Sequence, residues 1–398
     1  MKQKTTRLFF IDVMRAWAIL MMLQGHFIDG LLDPEYRILN NPTFSTWLYF
    51  RGITAPVFFT VSGFIFTYLL IRVPEKGWQN SRVKKGIRRG LQLLLIGYLL
   101  RMNFLALLTG KIYDSFYLVD VLHCIGLSIL SIIAIYVLTS KRKTWVLPMV
   151  LASTTLVLFL FEPFYKNWSF SFLPDALANY FTKTNGSVFT IIPWLGYTTI
   201  GAFISVLFTK YKNYKLLYPA AISIAIIGGV SLIFLSSDAF TLLYEFTQIE
   251  LFRLIPLNNY LFIRLGDVLL VFAIFMLLRR LMTHTTLLKI GASTLSIYVI
   301  HFVVLYGSFT GLGLYRFLHH QLPPSIVIPG AILFMFVCTY LSLTYNKYET
   351  QIKSQWGVFA FSAKQQVILV LKAIEPNARL LLSRVRLLLH RIFGIARN

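Results

Sequence analysis

Residues 11–27 read IDVMRAWAILMMLQGHF. The run is too apolar for the surface of a soluble protein, yet it carries Asp12, Arg15 and His26. Extended to residues 8–29 it is long enough to cross ~30 Å of hydrocarbon as a helix, which takes about 20 residues. Blocks of similar length recur at 52–72, 88–109, 117–139, 145–162, 189–209, 216–236, 260–278, 288–309 and 325–344. The whole chain agrees with this start: 57% of its 398 residues are hydrophobic and 13% charged, with a mean hydropathy of +0.69. A soluble domain carries about 25% charged and 45–50% apolar residues, so polar side chains to cover a water-facing surface are lacking. Lipid requires every backbone N–H and C=O to be paired inside the segment, and the short alternating segments of a membrane β-barrel do not occur. The expected fold is an all-α integral membrane protein of about ten transmembrane helices.

A net charge of +23 would suggest nucleic acid in a soluble chain. Here the positive-inside rule accounts for it. With the N-terminus inside, most of the 38 Lys and Arg fall at 1–7, 72–89, 141–143, 210–215, 279–289 and in the tail from 345, while most of the 15 acidic residues fall outside. The expected orientation is N-in/C-in, with the lipid bilayer and no nucleic acid as partner. Asp12 and Arg15 inside the first apolar segment, with no small-residue cleavage pattern after it, argue against a cleavable signal peptide. Cys124 and Cys338 both fall in predicted helices and read as small buried apolar residues.

Two regions are expected: a membrane domain over 1–345 and a cytoplasmic tail over 346–398. The tail segment ARLLLSRVRLLLHRIFGIAR interleaves leucines with Arg379, Arg384, Arg386 and Arg391, as a basic amphipathic helix in the inner interface does. The loop PEKGWQNSRVKKGIRRG sets Arg82, Lys84, Lys85, Arg88 and Arg89 against the membrane. These side chains suit phosphate groups, and equally a topology signal in contact with anionic lipid. On the outer side, EPFYKNWSFSFLPDALANYF (162–181) is aromatic and mildly acidic, fit for a substrate mouth or an interfacial aromatic belt.

Ionisable groups cost several kcal/mol in the bilayer, so each needs a partner or a function. Asp12 and Arg15 are three apart and can pair on one helix face. His26 follows Arg15 by eleven residues, about three turns plus 20°, so the two share a face roughly 16 Å apart along the axis. Asp120 and His123 form a similar pair in YLVDVLHCIGLS, and Arg264 and Asp267 in FIRLGDVLL. Arg101 sits in YLLRMNF, and STLSIYVIHFVVLY sets Thr294, Tyr298 and His301 along a single stripe. Three histidines and several charges on inward-facing helices, mostly toward the outer half, predict a shared polar cavity.

Arg15 and His26, spaced Arg-x10-His on a first transmembrane helix, resemble the membrane acyltransferase superfamily. RLFFIDVMRAWAILMMLQGHF, followed by FRGITAPVFFTVSGFIF, looks closer to the branch of heparan-α-glucosaminide N-acetyltransferase and its bacterial relatives. DVLHCIGLSIL, FTIIPWLGYTTIGAFIS and IGASTLSIYVIHFVVLYG are similar to later blocks of that branch, in the same order, so that the resemblance covers about residues 7–310. Between His26 and Arg51 there is no histidine, so the catalytic role carries to His26 by way of the wider superfamily pattern.

The resemblance implies transfer of an acyl group, acetyl in that branch, from cytoplasmic acetyl-CoA or another acyl-CoA to a glycan or glycolipid acceptor on the outer side. It implies a bacterial inner (plasma) membrane as the location. The implied catalytic residues are His26, as base, with His123, His301 and Asp120. The implied donor-binding residues are Arg15, Asp12, Arg82, Lys84, Lys85, Arg88 and Arg89, and the implied acceptor-binding residues are Arg101, Tyr298, Arg264 and Asp267. No metal is implied, and oligomeric state, a homodimer included, is left open. The rival reading is a transporter or flippase for a polar lipid or small anion, which would use the same buried charges.

Overall fold

The structure, a computed structural model, describes residues 7–110, 112–355 and 365–366. Its main helices are α1 (Phe9–Leu31), α2 (Pro42–Leu70), α3 (Ser81–Arg101), α4 (Val121–Thr139), α5 (Val146–Leu160), α6 (Ile191–Lys210), α7 (Leu217–Phe234), α8 (Tyr260–Leu277), α9 (Thr285–Ala292), α10 (Thr294–Tyr306) and α11 (Pro324–Gln355). Among the described residues the extended pairings are isolated bridges, such as Asn103 with Phe309. Contacts divide the chain into Met1–Ser342 and Leu343–Asn398. The Leu/Arg segment from Arg379 to Arg391 lies outside the described residues.

The expected count of about ten crossings is corrected. Among the described residues six helices are long and apolar enough to cross a membrane: α2, α4 with the turn before it, α6, α7, α8 and α11. The number rises to seven if α9 and α10, bent by 69° at Ser293, form one broken span. The other expected spans fail for different reasons. α1 carries Asp12, Arg15 and Asp29 along 23 residues, and the first half of α3 is strongly basic. α5 is only 15 residues long. An N-in/C-in orientation counted over ten crossings falls with that number. The multi-pass membrane location stands on the six.

The charge asymmetry survives as geometry. At one end of the bundle Phe10 meets Phe208 and Tyr218, and the Asp12 backbone lies against Gly291. The basic segments 82–89, 141–143, 210–215 and 279–289 belong to this end. Buried Asn80 closes it: its Nδ2 donates to the Leu70 carbonyl and to the Tyr136 hydroxyl, and its Oδ1 accepts from Arg82 N–H to cap α3. The opposite end carries Asp29, Asp120, Glu162, Asp175 and Glu250.

Lipid tails are as apolar as leucine, so helices associate there through close packing of small residues and buried hydrogen bonds. The α2–α6 crossing shows this reciprocally. A Cβ on Gly63 would lie 1.9 Å from the Thr198 carbonyl oxygen, and one on Gly201 would lie 1.9 Å from that of Thr60. Gly90 with Gly126 joins α3 to α4, and Gly229 with Gly266 joins α7 to α8, in the same manner. At the C-terminal end of α10, Gly307 turns the chain with φ +71°, and a Cβ there would meet the Gly313 nitrogen at 2.2 Å.

Gly201→Leu should therefore force α2 and α6 apart, at a cost of about 3 kcal/mol or more. Thermal unfolding in detergent should show a clear drop in Tm for this variant. Gly228→Ala, whose added methyl would meet its nearest neighbour at an ordinary 3.5 Å, should leave Tm unchanged.

Candidate functional site

α1 sets the polar groups of the site by helical spacing alone, and α10 supplies their partners. Arg15 Nη2 donates to Thr294 Oγ1 at 2.9 Å. Three turns further, His26 Nδ1 lies 3.0 Å from His301 Nε2. Thr294 and His301 are seven residues apart, two turns of one face, so the polar face of α1 lies along the polar stripe of α10. Tyr298, Phe302 and Tyr306 surround the His301 ring, with centroids 4.8, 5.0 and 6.3 Å away.

Two arginine–carboxylate pairs flank the histidines. Arg51 Nη2 donates to Asp29 Oδ2 at 2.5 Å, and the Arg51 stem passes alongside Gly25, where an added Cβ would make ordinary contact at 3.5 Å. Across the cavity, Arg101 grips Asp120 in a fork, Nε and Nη2 each donating at 2.7 Å, while its Nη1 donates to the Ser115 carbonyl. Fork geometry is the strong form of such a pair.

His26 stands where two cavities share a wall. One, about 730 Å³, is lined by His26, Asp29, Arg51, Arg101, Asp120, Tyr298 and Tyr306 among others. The second, about 230 Å³, is lined by His26 and Arg51 together with Met21, Met22, Ala55, Phe58 and Trp194. It is the more apolar, and Met21 and Met22 carry it a turn toward the basic end. Trp194, Tyr260 and Lys183 form its boundary with an outer vestibule of about 430 Å³, whose wall includes Glu162, Lys166, Asn167 and Phe181 from the aromatic loop.

The remaining sequence candidates lie apart. Asp12 does not pair with Arg15: its Oδ2 accepts from Arg7 Nε at 2.6 Å, while Arg15 turns to Thr294. Arg15 is not among the residues lining either cavity at His26. His123 is 0% exposed and lines neither cavity; its Nδ1 accepts the Asp120 backbone N–H at 3.1 Å. That contact is one half of a capping box on the first turn of α4, in which the Asp120 carboxylate accepts the His123 backbone N–H while Arg101 holds it from the other side. Arg264 donates to Asp267, and Tyr49 donates to the same carboxylate at 2.7 Å. This buried brace stands behind Tyr260, over whose ring Arg264 lies. Arg82, Lys84, Lys85, Arg88 and Arg89 are exposed on α3 at the basic end, and none forms an ion pair among the described residues. The described residues hold no cluster of three or more His, Cys, Asp or Glu fit for a metal, and Cys124 and Cys338 are free and buried.

The sequence reading passed over Asp29, Arg51 and Tyr306. Asp29 was within reach of it, since i+3 from His26 puts it on the same helix face. Arg51 begins the FRGITAPV run and carried no spacing signal, because its partner lies on another helix.

A family model described as heparan-alpha-glucosaminide N-acetyltransferase, catalytic, matches residues 7–237. No curated protein gives a match to the sequence. The matched span runs through α7 and so contains His26, Asp29, Arg51, Arg101 and Asp120; His301 lies beyond it. More than half of the chain is covered, and with that the chain belongs to the heparan-alpha-glucosaminide N-acetyltransferase catalytic family, whose general chemistry is acyl transfer.

Proposed function

We propose that this protein moves an acyl group from acyl-CoA, held at the basic end, to a hydroxyl or amine of a sugar or other envelope acceptor that enters from the opposite end. The observation that carries the reading is the position of His26: half-buried, held by His301, and facing both cavities between two arginine–carboxylate pairs.

The acceptor O–H or N–H gives its proton to His26 as its lone pair attacks the thioester carbon. The carbonyl oxygen becomes an oxyanion, and Arg51, which lines both cavities, supplies the nearby positive charge. Collapse of the tetrahedral intermediate expels the thiolate, which recovers the proton from His26 and leaves as free CoA. The vestibule around Glu162, Asn167, Trp194 and Tyr260 combines polar groups with aromatic faces, as a carbohydrate acceptor requires. Arg82, Lys84, Lys85, Arg88 and Arg89, unneutralised by carboxylates, would hold the phosphates of the donor. The positive-inside rule turns that end to the cytoplasm. A bacterial inner membrane, acetyl as the acyl group and a glycan or glycolipid as acceptor complete the reading.

One observation favours a second reading. The break at Ser293 between α9 and α10, with Arg15 bonded at the first residue of α10, is the kind of discontinuous helix on which transporters build polar sites. Consumption of the donor separates the two readings.

Purified protein in vesicles, given labelled acetyl-CoA and a panel of amino sugars, should transfer label. His26→Ala should lower the rate by 10²–10⁴-fold, the usual worth of a positioned base, with donor affinity unchanged. Transfer by His26→Ala at the wild-type rate would contradict the assignment. Charge reversal at Arg88 and Arg89 should raise the KM for acyl-CoA without lowering kcat. An unchanged KM would reassign these residues to lipid contact.

A further inference from the structure

The contact between His26 and His301 contains one proton for two nitrogens, and which ring supplies it decides what His26 can do. A neutral imidazole donates from one nitrogen and accepts at the other. If His301 Nε2 carried the proton, His26 Nδ1 would accept it and His26 would offer an N–H to the cavity, a donor with no capacity to take a proton. If His26 Nδ1 carries it, the lone pair of Nε2 is free toward the cavities.

The surroundings of His301 choose between these states. Its ring is 0% exposed, and Nδ1 is sealed from solvent without a completed hydrogen bond. The ring packs one turn above the backbone of Tyr298 and Ile297 on α10, and with Nε2 turned to His26 the nitrogen left to face their carbonyl oxygens is Nδ1. Carbonyl oxygens only accept, so they favour a proton on His301 Nδ1, which leaves its Nε2 bare to receive His26 Nδ1–H. Among the described residues His26 Nε2 has no hydrogen-bond partner, and it is not sealed. The other charged groups facing the pair are Arg51 and Arg37 about Asp29 on one side and Arg101 with Asp120 on the other; with no uncompensated carboxylate beside them, both rings stay neutral. Tyr306 and Tyr298 contribute ring edges and faces to His301.

We infer that His301 is a positioning residue: by accepting the His26 Nδ1 proton at 3.0 Å it fixes the tautomer in which Nε2 of His26 is the base. It touches neither reacting group and acts through His26, as a buried partner on the far ring nitrogen sets a histidine's tautomer elsewhere. The inference rests on the reading of His26 as base, but its test does not depend on turnover.

The test is nitrogen-15 NMR on histidine-labelled protein in nanodiscs, with the His26 signals assigned by their loss in His26→Gln. Wild type should show a protonated Nδ1 and a bare Nε2 on His26. His301→Phe should move the proton toward Nε2. It should also reduce kcat on the order of 100-fold, between the cost of an orienting partner at a metal-bound histidine and that of the tautomer-setting aspartate of a serine protease. KM for both substrates should stay within about twofold. His301→Gln, whose amide oxygen can accept the same proton, should restore the wild-type tautomer and part of kcat, and it covers the case in which the Phe variant does not fold. A protonated Nε2 on wild-type His26, or a tautomer that ignores both substitutions, would overturn the inference. Full transfer by His26→Ala would instead overturn the base assignment and leave the tautomer result standing.

Discussion

Two imidazoles held 3.0 Å apart, His26 on α1 and His301 on α10, require two helices far apart in sequence to lie face to face with their polar stripes in register. The requirement reaches well beyond the pair. Arg15 and Thr294 keep the same register lower on the two helices, and Gly291 lets α9 approach the Asp12 backbone to 1.9 Å from where its Cβ would be. Close approach of small residues supplies packing that hydrophobicity cannot supply in lipid. The polar stripes then need no solvent, because each is the other's hydrogen-bonding partner.

The end of the bundle opposite the basic segments concentrates paired charge. Arg51 with Asp29, Arg101 with Asp120 and Arg264 with Asp267 are each closed by at least one bond of 2.5–2.8 Å. For the mostly buried pairs, Arg101 with Asp120 and Arg264 with Asp267, the net gain in stability is small, yet loss of one partner leaves a bare charge at a cost of about 3–5 kcal/mol; the Arg51–Asp29 pair is more exposed and solvent screens it. Such pairs specify an arrangement more than they strengthen it. Here they set fixed charges around the cavity that His26 lines, each with its counter-charge in contact. The basic end has the opposite character, with exposed cations on α3 that no carboxylate of the described residues neutralises.

Much of this was legible in the sequence, and the failures have physical causes. Hydropathy and block length located the helices, since lipid imposes both. They overstated the number of crossings, because α1 carries charges that tertiary partners absorb, the first half of α3 is basic and exposed, and α5 is short. Helical spacing placed Arg15 with His26 and Thr294 with His301 on single faces, and the two faces meet. Spacing also suggested Asp12 with Arg15, where the structure has Arg7 and Thr294 as partners. An i, i+3 interval permits a pair without compelling it, and a third residue from elsewhere can win. His123 shows the same limit from the other side: it stands three residues from Asp120 as expected, but bonds the backbone and not a cavity. Asp29–Arg51, which joins separate helices, had no local signature.

The central claim is that chemistry happens at His26, at the shared wall of the two cavities. A density map of the protein with a non-transferable acyl-CoA analogue addresses it directly. The account predicts the acyl carbonyl within contact of His26 Nε2 and Arg51, with the nucleotide phosphates on the basic segment of α3. An acyl end lodged elsewhere, with His26 untouched by it, would contradict the account.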